Sequence, residues 1–257
     1  MSCLPQHGRV NCTACFKSTP VIFDQTQLTE GDWRITSNPL AWGNPDAEIV
    51  VLGFSKGPNA SGASLAKEPH NSIAYKRKRA NVGKILAHVG LLKKGDNIFY
   101  NSVVDKAIAD INGRFHFGSL IRCGVEHKDA KTGEWKGFGS NMLDKFVASD
   151  FGKKVSQECS SRFLGDLPPK TKLIIMFGMG KKQNYVLEAY KLFKHARPGD
   201  WRWLEKDVSY TDGRITVVHV EHFGVLGRHL KDWLGENSHM RSILGDAARL
   251  SVEIALE

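Results

Sequence analysis

Short apolar segments that alternate with helical segments constrain the fold of this chain most strongly. Four runs have the length and β-branched composition of buried strands, at residues 47–53, 118–123, 172–178 and 214–220. Helical patterns fall at about residues 80–92, 150–164, 183–193 and 227–256. Strands separated by helices are typical of an α/β fold with a parallel, doubly wound sheet. We therefore predict one three-layer α/β/α domain over residues 1–257, with a central, mostly parallel four-stranded sheet.

The segments that follow the predicted strands are the natural places for a functional site. In a doubly wound sheet, ligands bind in the crevice beyond the carboxyl ends of the strands. The segment 54–72 is rich in Gly, Ser, Asn, Pro and Ala, which predicts a functional loop. The other segments at this edge are 119–123, 178–182 and 222–228.

The charge of the chain favours an anionic partner. Lys and Arg total 36 against 27 Asp and Glu, a net charge of +9, and each phosphate that such a surface neutralises releases counterions. A charge that serves only solubility is the alternative. No apolar run approaches the ~20 residues of a membrane span, and residues 1–20 lack the apolar stretch of a secretory signal. We therefore expect a cytoplasmic protein that does not contact membranes.

The cysteines suggest a metal centre. Cys12 and Cys15 form a C-x-x-C pair, a spacing that fits redox, zinc or iron–sulfur chemistry. Cys123 ends a predicted strand, and Cys159 lies on the helix before the next one, so four thiolates are expected to converge at one edge of the sheet. The alternative is that Cys123 and Cys159 are small buried hydrophobic residues.

The contexts of these cysteines resemble the thermophile-type, iron–sulfur branch of the uracil-DNA glycosylase superfamily. In that branch a C-x-x-C lies near the N-terminus, a third cysteine follows a strand that ends in a basic residue, and a fourth begins a helix before an apolar strand. Here these are Cys12 and Cys15, Cys123 after Arg122, and Cys159 in CSSRFL before LIIMFG. The resemblance implies a [4Fe-4S] cluster on the four cysteines, with zinc as the alternative, a cluster-binding loop at 1–20 and a helical extension at about 230–257. Cys3 is left as a spare thiol.

The first catalytic motif of the superfamily, Gly-x-x-Pro-Gly or a relative, corresponds to the segment that begins at Gly53. In relatives an acidic or amide residue of this motif positions the attacking water, and backbone amides bind the base. This chain has Gly53-Phe54-Ser55 followed by Asn59, with no acidic or amide side chain at the second or third place. The resemblance implies base contacts from Gly53 and Phe54, and Ser55 and Asn59 as catalytic residues. The alternatives for positioning the water are Glu68, Asn71 and Glu221.

The second catalytic motif, His-Pro-Ser-x-Leu-x-Arg in much of the superfamily, corresponds to residues 222–228. His222, Leu226 and Arg228 keep the spacing of that pattern. The resemblance implies that His222 donates to the carbonyl oxygen of the departing base and that Arg228 lies near phosphate. Ser119 falls near the place of the base-reading asparagine of relatives. A histidine at a strand end can also be purely structural.

Two further features would suit DNA. The basic run of residues 75–79 lies between the first motif and a predicted helix, where phosphate contact and a solvated helix start are both reasonable; its cations are Lys76, Arg77, Lys78 and Arg79. An extruded base needs an aromatic ring to stack on. The candidates, each of which could instead belong to the core, are Phe54, Tyr75 and Phe117.

The sequence as a whole predicts a monomeric, monofunctional DNA glycosylase that acts on single- or double-stranded DNA and hydrolyses the N-glycosidic bond of uracil or a related deaminated or modified base. Two other hypotheses belong to different classes. The first is a catalytically weakened or non-catalytic DNA-binding module of the same fold. The second is a nucleotide-binding or redox protein that uses the fold alone.

Overall fold

The structure, a computed structural model, describes residues 4–17, 20–56, 65, 67–137, 142–224 and 228–257, without the side chains of Lys181 and Arg228. Among these residues the strands, in chain order, are β1 (Gly8–Arg9), β2 (Gln27–Glu30), β3 (Trp33–Thr36), β4 (Leu40–Gly43), β5 (Ile49–Gly53), β6 (Phe115–Ser119), β7 (Gly124–Lys128), β8 (Trp135–Lys136), β9 (Leu173–Phe177), β10 (Arg202–Glu205), β11 (Ser209–Thr211) and β12 (Thr216–Val220). The helices are α1 (His70–Ile73), α2 (Arg79–His88), α3 (Asn97–Ala109), α4 (Met142–Ala148), α5 (Asp150–Leu164), α6 (Asn184–Ala196), α7 (Arg228–Trp233) and α8 (Ser242–Leu256).

The main sheet confirms the α/β class and corrects the predicted number of strands. Over the described residues it has eight strands in the order β1-β4-β6-β5-β9-β12-β11-β10, so the prediction of four is wrong. The central strands β6, β5, β9 and β12 pair in parallel and correspond to the four predicted ones. The outer strands pair antiparallel. They are only two to four residues long, which is too short for a period-2 pattern to stand out in the sequence.

The second predicted strand is displaced along the chain. The sequence placed it at residues 118–123, whereas β6 spans Phe115–Ser119, so Cys123 lies beyond the strand rather than at its end. The physical reason is His116, a fully buried polar residue inside β6 that interrupts the apolar pattern. The apolar run that follows packs into the core as irregular chain.

The Lys- and Gly-rich insertion after Cys123 is part of a second sheet. Strands β2, β3, β7 and β8 pair antiparallel in that order. Arg34 lies over the ring of Trp135 at 4.5 Å and forms an ion pair with Glu126 at 2.8 Å. The His127 ring contacts Trp33 edge-on at 4.4 Å. These contacts across the strands give the insertion a structural role.

The helices follow the predictions in most places. Helix α5 has the predicted bounds, with Ser149 as its N-cap accepting from the backbone N–H of Gly152 at 3.0 Å. Helices α1, α3 and α4 were not predicted, and α1 begins within the segment 54–72 that the sequence assigned to a loop. The C-terminal segment does not extend away from the sheet, because α8 packs against β12 and Ser251 hydrogen-bonds to Ser209 of β11 at 2.7 Å. Within the described residues, no helix has the length and apolar character needed to cross a membrane.

The order of the parallel strands locates a crevice. The chain passes from β5 to β6 on one side of it, and then to β9 and β12 on the other side. Connections that leave in opposite directions open a crevice between the carboxyl ends of β5 and β9. The register pairs Gly53 with Ser119, and Phe177 with Val220, at this same edge. The segments that carry both predicted catalytic motifs therefore leave the sheet here.

Candidate functional site

The carboxyl edge of the sheet brings most of the predicted first-motif residues together. Gly53 and Ser119 are register partners at the ends of β5 and β6. The backbone N–H of Leu120 donates to the Gly53 carbonyl oxygen at 2.8 Å, which continues the pairing past the strands. Ser55 follows and is half-buried. Asn59 lies outside the described residues.

Two of the aromatic candidates are packed inside the protein. The Phe54 ring is 6% exposed and makes edge-on contacts with Phe146 at 5.6 Å and Tyr185 at 6.0 Å. Phe117, within β6, is fully buried. A base stacks on a ring face that is open to it. In this arrangement both rings contribute to the core.

His222 stands just beyond the end of β12. Its Nδ1 accepts a hydrogen bond from the backbone N–H of Gly224 at 3.0 Å. A neutral imidazole whose Nδ1 is an acceptor carries its proton on Nε2. Burial lowers the pKa of His222, and the adjacent Glu221 carboxylate opposes that shift. The ring is therefore neutral near pH 7, with Nε2–H as its donor.

The Glu221 carboxylate fixes the backbone at His222 by a hydrogen bond. Its Oε1 accepts from the backbone N–H of His222 at 2.9 Å. Its Oε2 forms an ion pair with Arg241 at 2.6 Å, and the side chain is buried. Both carboxylate oxygens thus have structural partners, which argues against Glu221 as the residue that positions water.

An aromatic cluster links His222 to the basic run. Phe223 contacts Tyr75 at 4.9 Å and Phe177 at 5.0 Å between ring centroids. Tyr75 is in the left-handed region at φ +52°, a strained conformation for an aromatic residue. The side-chain amide of Asn81 donates to the Phe223 carbonyl oxygen at 2.9 Å. Asn81 was not a predicted site residue, because an asparagine on a helix gives no distinct signal.

The four cations of the basic run divide into two that form ion pairs with described residues and two that do not, which we call the open cations. Lys76 forms an ion pair with Glu68. Arg79 pairs with Asp105 and also donates to two backbone carbonyl oxygens. Arg77 is exposed, at φ +62°, and neither Arg77 nor Lys78 makes an ion pair with any described residue. Phosphate contact therefore fits Arg77 and Lys78 better than Lys76 and Arg79. The side chain of Arg228 lies outside the described residues.

The four predicted metal ligands converge from three segments. The thiols of Cys15 and Cys159 lie near each other, and this proximity contributes to a raised pKa of Cys159. Cys123 interacts electrostatically with Cys159 and with Cys12. Cys123 and Cys159 are buried, and Cys12 and Cys15 are half-buried. Across the described residues, no three His, Cys, Asp or Glu side chains are already arranged around a single ion. Cys3 lies outside the described part of the chain.

Two buried cations lie beside these cysteines. Lys56 is 7% exposed, and its ammonium group donates to the backbone carbonyl oxygen of Arg122. Arg122 is 1% exposed. Its Nη1 lies 3.5 Å from Nε2 of His116, and within the described residues its Nε and Nη2 have no hydrogen-bond partner. Burial lowers the pKa of Lys56 to about 8, a shift that Cys123 opposes most strongly.

The buried cations beside the cysteines are the charges that a metal–thiolate centre would compensate. Burial raises the pKa of Cys123 to about 12, so without a metal this thiol stays neutral and offers the cations no charge. Four thiolates around a dication carry a net charge of about −2, which matches the two buried cations. The basic residue before Cys123 was a feature of the resemblance. Lys56 gave no sequence signal of its own, because it lies within the first catalytic motif.

Comparison with known proteins adds no family assignment. A scan against models of known protein families and a search of curated proteins both find no match to this chain. The assignment to the uracil-DNA glycosylase superfamily stays a prediction from the sequence motifs.

The close approach of Gly224 to the His222 ring gives a testable result. A Cβ at position 224 would lie 2.9 Å from Cε1 and Nδ1 of His222. Gly224→Ala is therefore expected to displace the ring toward solvent, so the pKa of His222 should rise toward its ordinary value. An NMR titration of the histidine ring measures this. Gly199→Ala is the control, because a Cβ there meets no atom within 4 Å. An unchanged His222 titration in Gly224→Ala would contradict the proposed packing.

Proposed function

We propose that this protein is a DNA glycosylase that flips a deaminated or modified base out of DNA and hydrolyses its N-glycosidic bond. The observation that carries the proposal is the orientation of His222 at the carboxyl edge of the sheet. Its Nδ1 accepts from Gly224, so Nε2–H is left as a donor. His222 follows the end of β12 at the same edge of the sheet as Gly53 and Ser119, the last residues of β5 and β6. A three-layer α/β/α domain that works as a cytoplasmic monomer is part of the same proposal.

The chemistry asks for a donor to the leaving base and for a positioned water. Cleavage of the bond between C1′ and the base nitrogen leaves the electron pair on the base and positive charge on the sugar. The Nε2–H of His222 stabilises the base anion at its carbonyl oxygen. The Ser55 hydroxyl can hold the water that attacks C1′ but supplies no negative charge. Catalysis would then depend mainly on stabilising the leaving base.

The cysteine centre has a structural role in this proposal. Cys12, Cys15, Cys123 and Cys159 would hold a [4Fe-4S] cluster, with zinc as the alternative. Through these cysteines, a bound metal would join the N-terminal loop, the segment after β6 and helix α5. It supplies stability to these segments rather than a step in base removal.

DNA is the proposed partner, and the open cations of the basic run give a testable result. Replacing both Arg77 and Lys78 by glutamine should weaken binding to all oligonucleotides alike and reduce the slope of log K against log salt by about 1 for each lost phosphate contact. Fluorescence titration of labelled oligonucleotides across salt concentrations measures the slope. Lys170→Gln is the control, because Lys170 precedes β9 and so lies at the opposite edge of the sheet. An unchanged slope in the double variant would remove this surface from the proposal.

A panel of damaged oligonucleotides tests the activity. Metal-loaded protein is mixed with single- and double-stranded DNA that contains uracil, hypoxanthine, xanthine or hydroxymethyluracil, and abasic product is measured after strand cleavage. Release of at least one base is the expected result, and no release from any substrate would overturn the proposal. Damage-specific binding without product would instead identify a non-catalytic DNA-binding module, the alternative that the serine at position 55 favours.

A further inference from the structure

We propose that Lys56 and Arg122 are the buried counter-cations of the cysteine centre, so that binding of the metal determines whether these two residues stabilise or destabilise the protein. The inference rests on the metal centre of the proposed function. It goes beyond that centre because it assigns a role to two residues that are not ligands. It also predicts a reversal of sign that ordinary packing residues would not show.

Both cations are too deeply buried to serve DNA directly. Lys56 is 7% exposed and Arg122 is 1% exposed, so neither can reach a phosphate on the surface. Lys56 directs its ammonium group at the carbonyl oxygen of Arg122. Among the groups whose negative charge would favour the charged form of Lys56, Cys123 ranks first and Cys159 second, and Asp24 contributes least. The lysine of the first catalytic motif therefore faces the cysteines.

The guanidinium of Arg122 fills a volume that Gly118 leaves open, and it has no carboxylate partner among the described residues. Its guanidinium lies over the ring of Phe163 at 5.2 Å. A Cβ on Gly118 would lie 1.9 Å from Nη1, so the glycine leaves the volume that the guanidinium fills. Burial lowers the pKa of Arg122, and the groups whose negative charge would oppose that shift are Cys159, Tyr75 and Cys12, in that order. Two of its nitrogens have no hydrogen-bond partner in the described part of the chain.

The energetic consequence depends on the charge of the sulfurs. A buried cation without a counter-charge is costly, and one that is paired with an anion in the same site is not. With neutral thiols, Arg122 has no carboxylate beside it among the described residues, and Lys56 has only the smaller contribution of Asp24. With four thiolates around a dication, the site gains about two negative charges, and the cations become favourable. Removing a cation should therefore help the metal-free protein and harm the metal-loaded one.

The experiment compares Lys56→Met and Arg122→Met with the wild type in two states, metal-loaded, and stripped by chelation with the thiols then fully reduced. Metal content per chain and thermal unfolding are measured for each. Both variants are expected to melt lower than wild type when loaded, and at the same temperature or higher when stripped. The control is Arg197→Met, since Arg197 pairs with Asp212 at 3.0 Å and should lower the melting temperature in both states.

A second measurement covers the case in which stripped protein does not fold. The rate of metal loss to excess chelator is followed on loaded protein, and each methionine variant should lose metal about tenfold faster or more. Arg122→Lys, which keeps the charge, should restore most of the retention. If the metal is an iron–sulfur cluster, loss of a nearby positive charge should also shift its reduction potential to more negative values.

The failures are distinguishable. Wild type that binds neither iron nor zinc would overturn the metal centre itself. If the wild type binds metal but the methionine variants lose it at the wild-type rate, only the counter-cation role is overturned. The same holds if the variants have melting temperatures lowered equally in both states. A further check is borohydride trapping of the wild-type protein on abasic DNA. If Lys56→Met abolishes that trapping, Lys56 forms the covalent bond to the sugar, and the counter-cation role is overturned.

Discussion

Replacing Cys159 by serine is expected to remove the metal from the protein and to lower the free energy of unfolding by about 4 kcal/mol or more, the size typical of losing a structural metal. Cys159 is buried on α5 and in contact with Cys15 of the N-terminal loop. Without the Cys159 thiolate, the N-terminal loop, the segment after β6 and helix α5 would no longer share a bound metal. Buried Lys56 and Arg122 also lose the charge that compensates them. Iron, zinc and sulfide analysis with denaturant unfolding measures both effects.

The matched control is Cys3→Ser, the cysteine outside the constellation, which should leave metal content and stability unchanged. An absorbance shoulder near ~400 nm in the wild type distinguishes an iron–sulfur cluster from colourless zinc. Retention of full metal content in Cys159→Ser would contradict the ligand assignment. A stable wild-type protein that never contains metal would make the four thiols ordinary buried residues.

Replacing His222 by alanine is expected to reduce base release by about 10²–10³-fold, the usual cost of removing one donor that stabilises a developing anion. The donor is Nε2–H, because the hydrogen bond from Gly224 to Nδ1 leaves the proton of the neutral ring on Nε2. DNA binding should change little, since the donor acts on charge that develops only as the bond breaks. Single-turnover kinetics with excess enzyme separates base release from binding.

His195→Ala is the control, because His195 is an exposed histidine at the end of α6. Its rate should equal that of the wild type. A His222→Ala variant that releases base at the wild-type rate would show that the site assignment is wrong, even if the protein is a glycosylase. A variant that loses DNA binding as well as activity would instead assign His222 a structural part in holding the loop.

The central sheet and its longest helices could be predicted because their signals are local. Strands β5 and β9 lie in uninterrupted apolar runs, β12 lies in a β-branched run that holds one histidine, and α5 begins at a serine cap that the sequence displays. The outer strands and α3 escaped prediction. The outer strands are short and held by pairing with distant chain, and α3 buries only three of its thirteen residues, so neither shows a strong period.

The candidate site divides in the same way. The cysteine spacing and the histidine motif are visible along the chain, as is the missing acidic or amide side chain near Ser55. The sequence alone does not show that Phe54 packs against Phe146, or that both oxygens of Glu221 are occupied. These are contacts between segments far apart in sequence, and they decide which polar groups remain available for chemistry.

The sequence by itself determined the fold class, the chemical types of the side chains at the carboxyl edge, and the thiols that could bind a metal. Only the tertiary structure decided that Lys56 turns toward the cysteines and that Arg122 lies buried beside them without a carboxylate. The physical reason is that the cost of a buried charge depends on everything that surrounds it in three dimensions. Spacing along the chain specifies which groups are present, and packing determines which of them face one another.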